Sequence, residues 1–249
     1  WRLQISGMEQ SPRVGLVDVL PFGAPYDPQR NKKYDHVIVD AAASIGSEEL
    51  DLGAIKAGWA VVFSLHATKV LGAGEGGITV FGSKQFADEF RAWINFGFLG
   101  SRSSILTGIN AKMSEISAAY AHAALDNWGG EKEEWKQAHL HSIRIGEFFG
   151  INSITASYSG VNPYWIADFK SPEKVLEVQK VLAAGGIETR NWWGLGCHKM
   201  PAFQEYVGGK TFAMTELIAN RTLGLPLYRE MNLDDFEYIS NTLSGALVD

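Results

Sequence analysis

Lys69 follows a hydroxyl, Ser64, by five residues in the stretch Phe63-Ser64-Leu65-His66-Ala67-Thr68-Lys69-Val70-Leu71-Gly72-Ala73-Gly74-Glu75-Gly76-Gly77. The apolar run before it reads as a strand and the glycines after it as a turn. A lysine at that place has two readings. It can be a solvated loop lysine, the usual lot of a charged side chain. It can also lie in a cleft beside the strand end, ringed by small residues, and condense with an aldehyde as a nucleophilic amine. The turn is not a Walker-type phosphate loop, because the pattern G-x-x-x-x-G-K-[ST] is absent.

Asp40 supplies a second group. It ends the apolar run His36-Val37-Ile38-Val39 and precedes Ala41-Ala42-Ala43-Ser44. An aspartate there can cap a turn. At the carboxyl edge of a parallel sheet, where ligands bind, it can instead face a ligand. An acid facing a pyridine nitrogen keeps that nitrogen protonated. A lysine amine paired with such an acid is the signature of pyridoxal phosphate (PLP) chemistry.

Those side chains need a scaffold, and the apolar pattern describes one. Val14 to Leu20, His36 to Val39, Trp59 to Leu65 and Gly76 to Phe81 read as four strands. Their hydrophobicity is nearly continuous, which suits strands covered on both faces of a mostly parallel α/β sheet. Helices are predicted over Ser83 to Phe96, stopped by Gly97, over Ser114 to Trp128, and over Glu131 to Phe149, closed by Gly150. Beyond Gly150 the pattern changes. Tyr164 to Phe169 and Ile187 to Arg190 read as short strands. A helix capped by Ser171 and begun by Pro172 runs to Gly185-Gly186, and Leu233 to Leu247 closes the chain. The expected domains are a large α/β domain over 1–150 and a small α+β domain over 151–249.

Bulk composition narrows the classes. The chain has 249 residues, 46% of them hydrophobic, enough to bury a core. A net charge of -6 with scattered Lys and Arg argues against nucleic acid as a partner. One cysteine, Cys197, allows no internal disulfide and no Cys-rich metal site, so a reducing, cytoplasmic setting is expected. No apolar run approaches the roughly 18 residues of a membrane span, and Trp1-Arg2-Leu3-Gln4 has no signal-peptide layout.

Taken in order, several segments resemble the DegT/StrS sugar aminotransferases, within the fold-type-I PLP enzymes. They are Val37-Ile38-Val39-Asp40-Ala41-Ala42, Phe63-Ser64 with Lys69, Gly74-Glu75-Gly76-Gly77, and Asn110-Ala111-Lys112-Met113-Ser114-Glu115. Gly186-Ile187-Glu188-Thr189-Arg190 leading to His198, and Leu225-Pro226-Leu227-Tyr228, complete the series. The resemblance implies an aminotransferase that carries an amino group, from glutamate, through PLP to the keto group of a nucleotide-linked sugar. Polysaccharide biosynthesis would be its setting. It implies Lys69 as the lysine bonded to the cofactor, Asp40 as the partner of its ring nitrogen and Ser64 as a phosphate contact. It implies that Asn110 reaches the cofactor phosphate of a neighbouring subunit, hence a homodimer. Ala43 stands near the ring where relatives often carry His or Gln.

Lys69 also argues for transamination, since the dehydratases of this group carry histidine there. His66 and His198 each have a substrate reading and a packing reading. Arg190 suits a phosphate or carboxylate, or a structural ion pair. Trp192 and Trp193 suit stacking on a sugar or base, or a subunit contact. Relatives carry an N-terminal stretch, with phosphate-binding and ring-stacking groups, that Trp1 to Pro12 do not match. The competing expectation is therefore a non-catalytic, truncated homologue with a dimerising or regulatory role.

Overall fold

A computed structural model describes residues 15–48, 50–158 and 160–247. Val14 and the segment Trp1 to Pro12 lie outside them. The four expected strands form one sheet in the order β1-β2-β3-β4: β1 (Gly15–Val19), β2 (His36–Asp40), β3 (Trp59–Ser64) and β4 (Gly77–Phe81). The first three are parallel, and β4 returns antiparallel to β3. One face carries Val37, Val39, Trp59, Val61 and Phe63, packed with Tyr26 and Tyr34. Trp59 also donates its indole N–H to the Tyr34 carbonyl at 3.1 Å.

Coverage of both faces holds for β3, where even Ala60 is buried. It does not hold for β1 and β2. Val17, Val19 and Ile38, on the other face, are 56%, 53% and 44% exposed. Continuous apolar runs thus become strands buried on alternate residues, because strand side chains alternate faces regardless of their hydrophobicity.

Helix ends follow the capping residues. Ser83 caps α1 (Lys84–Trp93) by accepting from the Phe86 N–H, and Phe86 and Phe90 pack their rings against Phe81 of β4. The helix stops ahead of the expected Gly97, whose left-handed backbone lies in the following turn. Ser114 caps α2 (Glu115–Asp126), and α3 (Trp128–Phe148) runs up to Gly150. Ser171 caps α4 (Pro172–Ala184) with Pro172 in the first turn, a position where a missing N–H does no harm.

The chain divides into two compact units. The first comprises the described residues of Trp1–Lys132 and Tyr158–Val161, and the second Glu133–Ser157 and the described residues of Asn162–Asp249. The division falls within α3, ahead of Gly150. In the second unit β5 (Asn152–Ser153), β6 (Trp165–Asp168) and β7 (Thr222–Leu225) form an antiparallel sheet. Val175, Val178 and Leu182 of α4 recur at helical spacing and pack with Phe236, Ile239 and Leu243 of α7 (Leu233–Leu247) and with Trp165. Two short helices, α5 (Gln204–Val207) and α6 (Ala213–Arg221), precede β7. Ile187 to Arg190 is not a strand. Only Arg190 pairs, through one two-bond bridge to Gly224.

His139 of α3 is buried in the second unit, and among the described residues neither ring nitrogen has a well-formed hydrogen bond. Burial holds its pKa below the ordinary 6.5, and the Thr155 backbone offsets only part of that effect. The neutral ring is accommodated when folded, whereas the unfolded chain protonates below about 6.5. Stability is therefore complete above that pH and declines as pH falls toward the folded value. Urea unfolding at about pH 7.5 and about pH 5 should show this loss in the wild type and a shallower loss in His139→Phe. Equal slopes in the two proteins would contradict it.

Candidate active site

The parallel direction of β1, β2 and β3 brings their carboxyl ends to one edge. Asp40 is the last residue of β2 and Ser64 the last of β3. Asp40 pairs in register with Val62, so β3 extends two residues further before the chain turns. Asp40 Oδ1 accepts from the Ala42 N–H at 3.1 Å, the turn-capping contact open to an aspartate at this position. Its other carboxylate oxygen makes no hydrogen bond to a described residue. Ala43 is buried and adds no polar atom. Ser44, next to it, is 1% exposed, and its hydroxyl has no partner among the described residues.

Lys69 lies on the loop that joins β3 to β4, and the loop is closed by its own backbone. The Leu65 N–H bonds the Gly76 carbonyl, the Ala67 N–H the Gly74 carbonyl, and the Ala73 N–H the Leu65 carbonyl, at 3.0, 2.8 and 2.8 Å. The Lys69 N–H bonds the His66 carbonyl at 2.9 Å. Leu65 and Leu71 are fully buried and pack with Ala73 and Ala121, anchoring the loop on both sides of Lys69. A Cβ at Gly72 would lie 2.7 Å from the Ala67 carbonyl oxygen, so this close approach requires glycine. Lys69 is half-buried on that frame.

Ser64 Oγ accepts from the His66 N–H at 3.2 Å, which leaves the hydroxyl proton available to an anion. His66 itself is drawn into the loop. Its Nδ1 accepts from the Thr68 N–H at 3.2 Å and lies 2.9 Å from the Thr68 hydroxyl, while Nε2 faces Glu75 at 3.6 Å. That geometry is a turn brace.

The other candidates lie elsewhere. Asn110 is exposed, bridges to Asn95 and accepts from Lys112 Nζ at 3.0 Å on its Oδ1. That contact directs its amide N–H groups away from Lys112. The Lys112 ammonium also sits 4.5 Å from the Phe96 ring centre. Arg190 and His198 belong to the second unit. The backbone of Arg190 is pinned to Gly224 of β7, while its guanidinium is largely exposed, 3.5 Å from Glu188. His198 Nε2 meets Glu216 Oε1 at 3.1 Å, and Lys199 Nζ meets the same oxygen at 3.0 Å. His198 and Lys199 hold the Glu216 carboxyl below the usual range. Trp192 packs edge-on against Tyr164 and lies beside Trp193, whose φ of 59° is left-handed. Neither Ser44 nor Glu216 announces itself in the sequence. Ser44 differs from its neighbours only by a hydroxyl, and Glu216 lies eighteen residues from the histidine it meets.

Known proteins resemble this chain in sequence and in fold. A dTDP-4-amino-4,6-dideoxy-D-glucose transaminase from Shigella dysenteriae is 28% identical over 241 residues, covering 92% of this chain and 65% of its own length. A dTDP-3-amino-3,4,6-trideoxy-alpha-D-glucose transaminase from Streptomyces venezuelae is 28% identical, covering 77% of this chain and 51% of its own. The crystal structure of DesI in the presence of its TDP-sugar product superposes with a TM-score of 0.80 at 28% identity, covering 96% of this chain and 64% of that one. This chain thus spans between about half and just under two thirds of the length of these relatives, and its fold is that of the fold-type-I PLP aminotransferases. The sequence profile of one family matches residues 31–244, nearly the whole described chain, and the chain accordingly belongs to the DegT/DnrJ/EryC1/StrS aminotransferase family.

Proposed function

We propose that this chain catalyses transamination: it transfers the amino group of an amino acid, glutamate, to the keto group of a nucleotide-linked sugar, with PLP bound at Lys69. The observation that carries this reading is the single edge on which Asp40 and Ser64 end their parallel strands, with Lys69 on the self-closed loop that follows. The donor set suits the cofactor. Asp40 has one carboxylate oxygen open to a ring N–H, Ser64 has a proton to give a phosphate oxygen, and the buried Ser44 hydroxyl lacks a partner among the described residues.

PLP supplies a protonated aromatic ring into which the electron pair left at a donor Cα is delocalised. The protein does the rest. Asp40 holds the proton on the ring nitrogen by a charge-assisted hydrogen bond. Ser64 donates to the phosphate. Lys69 Nζ removes the proton from the donor Cα and returns one on the opposite course, acting as base and then acid. Arg190 offers a fork of N–H donors to a carboxylate or phosphate, and His198 meets a sugar hydroxyl. Asn110, its amide oriented by Lys112, donates to the phosphate at a second subunit's site, so the working form is a homodimer. Its setting is the cytoplasm, in polysaccharide biosynthesis. No helix among the described residues is long and apolar enough to cross a membrane.

Purified chain incubated with PLP, reduced with borohydride and mapped by peptide mass should carry the cofactor on the peptide containing Lys69. Labelling scattered over surface lysines, or none, would favour a non-catalytic homologue. Lys69→Ala should lose that label and cut amino transfer by at least about 10²- to 10⁴-fold, the worth of a general base and acid. Asp40→Ala removes one charge-assisted hydrogen bond, so PLP affinity or turnover should fall about 10- to 100-fold while Lys69 still labels at high PLP. Wild-type turnover in either variant would overturn the role assigned to its residue.

A further inference from the structure

The second unit holds His198 from several sides. Glu216 Oε1 lies 3.1 Å from Nε2, the Phe212 ring sits 4.8 Å from the imidazole, and the Gln204 amide donates to the His198 carbonyl at 2.7 Å. A Cβ at Gly196 would lie 2.7 Å from Nδ1, and the φ of 108° there also favours glycine. The residue before the turn is therefore one that cannot crowd this nitrogen. His198 is only 11% exposed at its side chain. A ring packed this closely keeps one orientation, and its hydrogen bonds select its tautomer.

Glu216 makes that selection. Lys199 Nζ, 3.0 Å from the same oxygen, favours the ionised carboxylate, and an ionised carboxylate only accepts. The hydrogen bond to Nε2 must then be supplied by an Nε2–H. In the neutral imidazole this leaves Nδ1 bare, and Nδ1 makes no hydrogen bond to a described residue. We propose that Glu216 is the positioning residue for His198, holding its ring in the Nε2–H tautomer so that Nδ1 accepts a hydrogen bond from a hydroxyl of the sugar substrate. The substrate half of this assignment rests on the transaminase reading above. Lys199 acts one step further out, by keeping Glu216 charged.

Nitrogen-15 spectra of histidine-labelled chain test the positioning half without any cofactor. Wild type and Glu216→Gln, which keeps an acceptor oxygen, should show the neutral His198 ring protonated at Nε2. Glu216→Leu should shift its two ring signals toward a mixture of tautomers, and unchanged signals would overturn the proposal. The substrate half is read from kinetics of PLP-loaded chain. Glu216→Leu should raise the KM for the nucleotide sugar about tenfold, the size of one lost hydrogen bond, with a smaller change in kcat and with Glu216→Gln recovering most of it. Because Glu216 acts through His198, Glu216→Leu combined with His198→Ala should be no worse than His198→Ala alone. Additive losses, or a sugar KM that does not move, would overturn it. PLP labelling of Lys69, in the other compact unit, controls for folding in each variant. A wild-type chain that takes no PLP would sink the transaminase reading and the substrate half with it, while the tautomer spectra still decide what Glu216 does.

Discussion

Parallel pairing of β1, β2 and β3 is the constraint on which the site depends. Strands that run the same way end on the same side, so their last side chains are delivered to one edge without any loop having to reach it. Register then sets depth. Asp40 pairs with Val62, and β3 runs on to Ser64, so the acid and the hydroxyl stand at different heights on adjacent strands. A shift of one residue in β2 would turn Asp40 toward the other face and put Ile38 where Val37 and Val39 now lie in the core. Burial of those valines and positioning of the acid are thus one interaction seen twice.

The lysine loop solves a different problem. A long flexible side chain is useful only if its Cα is fixed, and a loop lacks a sheet's ladder to fix it. Here the loop folds across itself, with Leu65, Ala67 and Ala73 each bonded to a residue on its far side. Gly72 permits the crossing, and Leu65 and Leu71 anchor it in a core shared with Ala121 of α2. His66 fits the same scheme. Its Nδ1 is taken up by Thr68, so a histidine that reads equally as catalytic or structural has its ring held as a brace.

Much of this was legible in the sequence because it is local. Apolar runs marked the four strands of the first sheet, and serines at 83, 114 and 171 marked helix starts that the structure places where their hydroxyls accept the expected N–H groups. Local signals misled in two places and were silent in a third. Hydrophobicity suggested two covered faces for β1 and β2, yet Val17, Val19 and Ile38 are exposed. Ile187 to Arg190 has strand composition, but within it only Arg190 forms a β-bridge, to Gly224. Thr222–Leu225 is short, contains Gly224 and runs into Pro226, so its place beside β6 depends on long-range pairing rather than on its own pattern. The meeting of His198 with Glu216 is non-local in the same way, created by the packing of α6 and not by any spacing.

Buried polar atoms without partners show how far chemistry can be read from packing alone. Leaving such a group unsatisfied costs about 1–3 kcal/mol, so each one calls for a reason. Orphan status by itself does not mark a site. Asn31 donates to Asp18 at 2.7 Å in the interior of the first unit, yet among the described residues one oxygen of each, and the Tyr26 hydroxyl, lack a well-formed hydrogen bond too. Burial raises the Tyr26 pKa, so its phenol stays protonated and the cluster keeps a proton to share. What separates Ser44 is position. It follows Asp40 by four residues at the carboxyl edge of the parallel strands, where an open carboxylate oxygen already faces out of the hydrogen-bond network. A polar deficit and a sheet edge that coincide make a stronger argument than either alone, and the family to which the chain belongs gives that coincidence a chemistry.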